Sequence, residues 1–219
     1  MTDFTKFEEI PDASYEVIYA DCPWMYYGSP DKMAAAGKHY GQMTDEALAA
    51  LPVLSKCRKR AVCLMWATSP RLDAALALMN AWGFHFRGVA FVWVKTRQDG
   101  KIIGAQGVRP SIVKPTVELV LAGSEDDDLT EFVVAGSTVR LGRPLPLLDE
   151  GVAQVVTAPR GKHSAKPEEV RNRINRLYGD VPKLELFARG APVESWDRFG
   201  NEMDPKTETI LELLGEGLT

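Results

Sequence analysis

Apolar residues fall in six short runs along the chain, and most of the stretches between them carry either helical periodicity or turn-forming residues. YEVIYA (15–20), AVCLMWA (61–67), GVAFVWVK (88–95), TVELVLAG (116–123), AQVVTA (153–158) and KLELFAR (183–189) are predicted as strands. Several of them are apolar throughout rather than alternating, the pattern of strands covered on both faces. Thr44 to Leu54 is predicted as a helix with Thr44 as its N-cap. A second helix is predicted to begin at Ser69-Pro70, with Ser69 as cap and Pro70 at the first position. It places Leu72, Ala75, Leu76 and Met79 on one face and stops at Gly83. A third opens at Lys166-Pro167-Glu168 and runs to about Tyr178, closed by Gly179.

Strands alternating with helices predict an α/β fold: a Rossmann-like, mostly parallel central sheet with helices on both faces. Such sheets take ligands beyond the carboxyl ends of their strands. That rule points to Asp21–Trp24, after the first run, and to the residues after Leu186. Segment 96–115 is predicted as a long loop, a length usually tied to function or disorder. Segment 124–151 is predicted as a flexible insertion with a hairpin across 131–141.

The 219 residues suit one domain spanning 1–219. No apolar run is long enough to cross a bilayer, and the first ten residues are polar and acidic, unlike a signal peptide. The three cysteines (Cys22, Cys57, Cys63) form no CxxC pair, which argues against a zinc site or a disulfide framework. A cytoplasmic location and no bound metal are the expectations. Net charge is −4, which argues against a strong non-specific nucleic-acid binder. Charge is uneven, however. Lys95, Arg97, Lys101, Arg109 and Lys114 face one acid, Asp99, over 95–114. Arg160, Lys162, Lys166, Arg171, Arg173 and Arg176 face Glu168 and Glu169 over 158–176. These runs are either solvated faces or one positive surface beneath a negative total.

The Asp21-Cys22-Pro23-Trp24 turn carries the candidate chemistry. A carboxylate at a strand exit can accept hydrogen bonds from an aromatic amine whose lone pair is delocalised into its ring. Pro23 stiffens the turn, a backbone carbonyl can take a second amine hydrogen, and Trp24 can stack on a base for ~1–3 kcal/mol. The plain alternative is a turn in which Asp21 and Pro23 end the strand and Trp24 packs as core.

Several ordered motifs resemble the MT-A70 family of adenine-N6 methyltransferases. Its Asp-Pro-Pro-Trp signature is similar to Asp21–Trp24, with Cys22 in place of the first proline. His39–Glu46, Phe91–Thr96, Lys114–Glu118, Ser164–Glu169, Glu185–Arg189 and Trp196–Glu202 resemble further family segments, in order, from about Tyr15 to Asp204. The resemblance implies a small stand-alone enzyme of bacterial or phage type that uses S-adenosyl-L-methionine. It implies catalytic roles for Asp21, Cys22, Pro23 and Trp24. It implies cofactor contacts by Asp21, Lys166, Glu185, Phe187, Arg189, Asn201 and Glu202, with Glu185 or Asn201 on ribose hydroxyls and Lys166 or Arg189 on the methionine carboxylate. Trp24 and Tyr40 would line the base site. Glu185 and Arg189 are alternatively a surface ion pair.

Lys95, Arg109 and Arg160 are candidate substrate contacts on the two basic stretches. The expected partner is nucleic acid with a flipped or single-stranded adenine, DNA rather than RNA, and no membrane. The protein itself is expected to be a monomer or homodimer. The alternatives are an RNA adenosine-N6 methyltransferase and a non-catalytic nucleic-acid-binding subunit of the same fold.

Overall fold

The computed structural model describes residues 1–24, 42–103, 117–124, 144–161, 165–190, 193–200 and the backbone of 202–203. Its strands are β1 (Asp3–Phe4), β2 (Tyr15–Ala20), β3 (Cys57–Ala67), β4 (His85–Thr96), β5 (Val117–Ser124), β6 (Val155–Pro159), β7 (Lys183–Leu186), β8 (Arg189–Gly190), β9 (Trp196–Phe199) and β10 (Glu202–Met203). Eight of them form one sheet in the order β1-β9-β7-β2-β3-β5-β4-β6, and β8 pairs with β10 apart from it. Within the large sheet only β5 runs against its neighbours. The mostly parallel α/β architecture is as expected.

Three α-helices are described: α1 (Asp45–Ala49), α2 (Leu72–Ala81) and α3 (Glu168–Tyr178). They divide between the faces because strand side chains alternate. On β2, Ile18 and Ala20 join the core with Leu48 of α1 and Ala75, Leu78 and Met79 of α2. Val17 and Tyr19 point the other way and pack with Val170 and Ile174 of α3 and with Trp66, Trp93 and Trp196. A strand buried on both sides therefore has no polar stripe, and its continuous apolar sequence follows from that.

The helices depart from the predicted bounds in instructive ways. Thr44 is the N-cap of α1, its side chain accepting a hydrogen bond from Ala47 N at 3.2 Å. The helix ends at Ala49, short of Leu54, and 3₁₀ turns follow at Val53–Lys56. Pro52 cannot continue an α-helix. Ser69-Pro70-Arg71 forms a 3₁₀ turn that follows Thr68, and α2 begins only at Leu72. Leu78 joins the buried stripe of α2, while Leu72 and Leu76 are half-buried. α3 opens after Pro167 as predicted and closes on Gly179, whose φ is +65°. Of the predicted loop, residues 97–101 fold back as a tight hairpin: Arg97 N donates to Lys101 O at 2.8 Å and Ile103 N to Lys95 O at 2.9 Å. The predicted hairpin at 131–141 lies outside the described residues.

The connections leaving β2 and β7 part company. β2 leads to β3 on one side, and β7 leads to β9 on the other, although β2 and β7 are themselves paired. The carboxyl ends of β2 and β7 thus flank a topological switch point, where open α/β sheets bind ligands. The fold makes one prediction. A Cβ at Gly179 would stand 2.6 Å from Leu148 Cδ1 on a backbone of positive φ. Gly179→Ala should lower stability by about 1 kcal/mol or more, read as a lower midpoint in urea; an unchanged midpoint would show that this cap is not strained by a side chain.

Candidate active site

Asp21 is the first residue past β2, at the switch point. Following the alternation of the strand, its side chain lies on the α3 side of the sheet, where Lys166 meets it at 2.9 Å (Nζ to Oδ1). Lys166 stands just ahead of α3 and lies 3.4 Å from Glu118 Oε2. Glu118 in turn is ion-paired with Lys95 through its other oxygen. The result is a row of alternating charge, Asp21, Lys166, Glu118, Lys95, along the carboxyl edge of the sheet. All four side chains are 10–23% exposed, so solvent screens them less than surface charges. Two indoles underlie the cations: Lys166 Nζ is 5.4 Å from the Trp66 ring centroid and Lys95 Nζ 4.9 Å from that of Trp93.

Glu118 reaches this edge because β5 is antiparallel. Its first residues lie beside the ends of β3 and β4, with Glu118 opposite Trp93. The sequence reading did not single it out as a site residue. The available signal was one acid inside an otherwise apolar strand, a position a carboxylate occupies only with a partner.

Glu185 is buried against α3 rather than at the surface. Leu184 and Leu186 face α1 and α2, so Glu185 faces α3. It is 3% exposed and takes a two-pronged hydrogen bond from Arg171, with Nε to Oε2 at 3.1 Å. Burial pushes the Glu185 carboxyl above its ordinary range, and the Arg171 guanidinium opposes that shift. Both carboxylate oxygens are occupied by the fork. Glu185 is therefore the buried partner of a helix residue, and each of its oxygens keeps a further lone pair beyond the fork. Beside it, Tyr19 lies 5.8 Å below the Arg171 guanidinium and accepts a hydrogen bond from Trp66 Nε1 at 2.6 Å. Burial raises the Tyr19 phenol well above its usual value, so it stays protonated.

On the opposite face the ends of β2, β7 and β9 border a cavity of about 310 Å³, lined by Thr5, Pro23, Gln42, Met43, Leu51, Phe187, Phe199 and Gly200. Asp21 and Lys166 are not among its lining residues; Pro23 brings it within two residues of Asp21. The predicted strand 183–189 stops at Leu186, because Phe187 adopts a φ of +60°. That conformation is uncommon outside glycine, and strain of this kind gathers at functional sites. It turns the Phe187 ring toward Phe199, with centroids 6.1 Å apart in an edge-to-face contact. Gly200 is required beside them: a Cβ there would lie 2.4 Å from Ala188 O and 2.8 Å from Ala188 N.

The remaining turn residues separate. Trp24 is 3% exposed and packs in the core, with the Arg71 guanidinium 5.2 Å from its ring centroid. Its ring is part of the buried cluster that also holds Cys22 and Leu48. Cys22 is buried in the same core, and burial pushes its thiol well above the ordinary value. Its carbonyl accepts Trp24 N at 2.9 Å, and the Pro23 carbonyl accepts Met43 N at 3.0 Å. Arg160 is exposed, its N bonded to Thr96 O at 3.0 Å. Arg189 is half-buried on β8, whose backbone pairs with Glu202. Tyr40, Arg109 and Asn201, and the side chain of Glu202, lie outside the described residues. Among the described residues no group of three or more His, Cys, Asp or Glu side chains is placed to hold a metal. No described helix is long and apolar enough to cross a membrane.

The MT-A70 family model matches residues 15–202. This chain belongs to the MT-A70 family. Among its relatives is the type II methyltransferase M.MunI of Mycoplasma sp, 30% identical over 221 residues, covering 92% of this chain and 84% of the relative. The N(6)-adenosine-methyltransferase MT-A70-like protein of Drosophila melanogaster is 27% identical over 192 residues, covering 87% of this chain and 27% of the relative. The N(6)-adenosine-methyltransferase catalytic subunit METTL3 of Homo sapiens is 27% identical over 194 residues, with 87% and 28% covered. This MT-A70 chain thus matches most of the first and little more than a quarter of each of the other two.

The buried thiols give a prediction. Burial raises both Cys22 and Cys63, and the thiolate is the reactive form. Iodoacetamide at mildly alkaline pH should leave both unlabelled in the native protein and label both after unfolding, as read by mass spectrometry. Rapid native labelling of Cys22 would show that it faces open space.

Proposed function

We propose that this MT-A70 protein transfers a methyl group from S-adenosylmethionine to the N6 amine of adenine in DNA. The observation that carries the reading is the Asp21 carboxylate at the switch point, held by Lys166 on one face and two residues from an aromatic-walled cavity on the other. The cavity suits the donor: Phe187 and Phe199 offer flat apolar walls, and Gly200 leaves the backbone open where a side chain cannot fit. The donor carries no phosphate, so a glycine-rich phosphate loop is not needed. When bound it supplies a methyl group already activated on a sulfonium.

The work left to the chain is to orient and to desolvate. Asp21 accepts a hydrogen bond from the adenine amine and draws nitrogen toward a reactive, tetrahedral form. The carbonyls of Cys22 and Pro23 each keep a second lone pair beyond their backbone partners, and one of them takes the other amine hydrogen. Lys166 fixes the position of Asp21 and meets the carboxylate of the methionine moiety together with Arg189. Glu118 and Lys95 complete the row, whose charges cancel, so the site adds no net charge against a cationic donor.

The adenine must leave its stack to reach Asp21. DNA is favoured over RNA because the relative matched along most of its own length carries the type II designation used for DNA-modifying enzymes. Exposed Arg97, Lys101 and Arg160, on the turns that follow β4 and β6, are the proposed phosphate contacts.

Incubation with labelled donor and matched DNA and RNA oligonucleotides, followed by nucleoside analysis, tests the reading; the expected product is N6-methyladenine in DNA. Asp21→Ala should lose transfer by on the order of a hundredfold or more while circular dichroism stays unchanged. Full activity in that variant refutes the role. Arg160→Ala should weaken DNA binding and reduce the slope of log K against log salt by roughly one. An unchanged slope would remove Arg160 from the interface.

A further inference from the structure

The carboxyl edge of the sheet presents one large apolar side chain to solvent. Of the six large hydrophobic residues exposed among the described residues, five lie toward the opposite edge, at or ahead of strand starts or beside the end of α3. The sixth, Ile102, is 62% exposed and sits on the hairpin that follows β4. A single exposed isoleucine is ordinary on a protein surface; the setting of this one is not.

The hairpin is stiff. Arg97 N donates to Lys101 O at 2.8 Å, Gly100 N to Arg97 O at 3.0 Å and Ile103 N to Lys95 O at 2.9 Å. Asp99 Oδ1 accepts Lys101 N at 3.1 Å. Gly100 holds a φ of +78°, which glycine adopts without steric cost. Ile102 is bridged to Thr96, the buried last residue of β4. Its side chain is thus held outward at a fixed place.

The hairpin also stands above the site. Val92 is level, through Leu119, with Ala67 at the end of β3, and β4 runs on to Thr96. Across the sheet, β4 lies three strand spacings from β2, about 14 Å. That is close to the ~12 Å width of a major groove. A duplex laid over this edge spans both the hairpin and Asp21. Exposed Arg97 and Lys101 flank Ile102 on the same turn, with Asp99 as the acid between them. Exposed Arg160 stands beside it, its N bonded to the same Thr96.

We propose that Ile102 is a wedge for duplex DNA: it enters the base stack as the target adenine leaves and fills the space beside it. Apolar side chains inserted between bases unstack them, and the added contact with protein compensates. The flanking cations hold the backbone in register while this happens. The inference rests on the DNA-adenine reading above and adds how the base is released toward Asp21.

With the methylated sequence mapped, three substrates carrying it test the wedge: the paired duplex, a duplex with a mismatch opposite the target adenine, and the single strand. An adenine already unpaired costs less to extrude. Ile102→Ala is therefore expected to lose about tenfold or more of kcat/KM on the paired duplex and to stay within about twofold on the other two. 2-Aminopurine at the target position should brighten on binding to the unaltered protein and brighten less with Ile102→Ala. Equal kcat/KM for both proteins on the paired duplex overturns the inference, and so does an equal loss on all three substrates. A change in sedimentation on Ile102→Ala assigns the residue to a contact between copies and overturns it too. Unaltered protein that methylates only the single strand overturns the wedge and leaves the DNA-adenine reading standing. Unaltered protein that methylates no DNA overturns both.

Discussion

The contact between Asp21 and Lys166 organises the rest of the site. A carboxylate left alone at the edge of a buried sheet would carry a desolvation cost, and so would an isolated ammonium. Placed 2.9 Å apart, each makes the other tolerable, and Glu118 and Lys95 extend the same compensation along the edge. The row joins a residue after β2, the residues ahead of α3 and the facing ends of β4 and β5. It therefore draws together parts of the chain that are remote in sequence, and it does so at the place where parallel strands present their carboxyl ends.

The two faces of the sheet divide the labour. The α3 face holds the charges and, beneath them, the Arg171–Glu185 pair with Tyr19 and Trp66. The α1 and α2 face holds the apolar cavity, bordered by Pro23, Phe187 and Phe199. The turn at Asp21–Trp24 serves both because Asp21 still follows the alternation of β2 and points to the α3 side, whereas the chain turns after it. Cys22 enters the core of the opposite face, and Pro23 borders the cavity there. A turn of this kind sets a carboxylate and an apolar cavity two residues apart without mixing their environments.

Much of this was legible in the residues. β2, β5 and α3 were readable almost to their ends, since continuous apolar runs and a Pro-Glu-Glu start with a Gly stop leave few alternatives. The carboxylate after β2 and the importance of residues after Leu186 followed from the strand-end rule. What was not legible depended on partners or on backbone. The fork on Glu185 was not visible because Arg171 lies on another element, and helix spacing does not reveal which strand residue it meets. Trp24 looked like a stacking surface because its contact with Arg71, on a remote element, is not visible in the turn's own sequence. Phe187 ended its strand through a left-handed φ that no side-chain pattern announces, whereas the early end of α1 does have a mark in the sequence, Pro52.

The antiparallel run of β5 has a consequence for the loops beside the site. Because β5 starts where β4 stops, the connection between Thr96 and Val117 departs from and returns to the same rim. The connection between Trp24 and Met43, which bridge to each other, behaves alike. The entropic cost of lengthening a connection between such fixed ends grows only slowly with length. Both pairs of anchoring ends lie at the rim that carries Asp21 and Lys166, so a change in loop length there is taken up next to that ion pair.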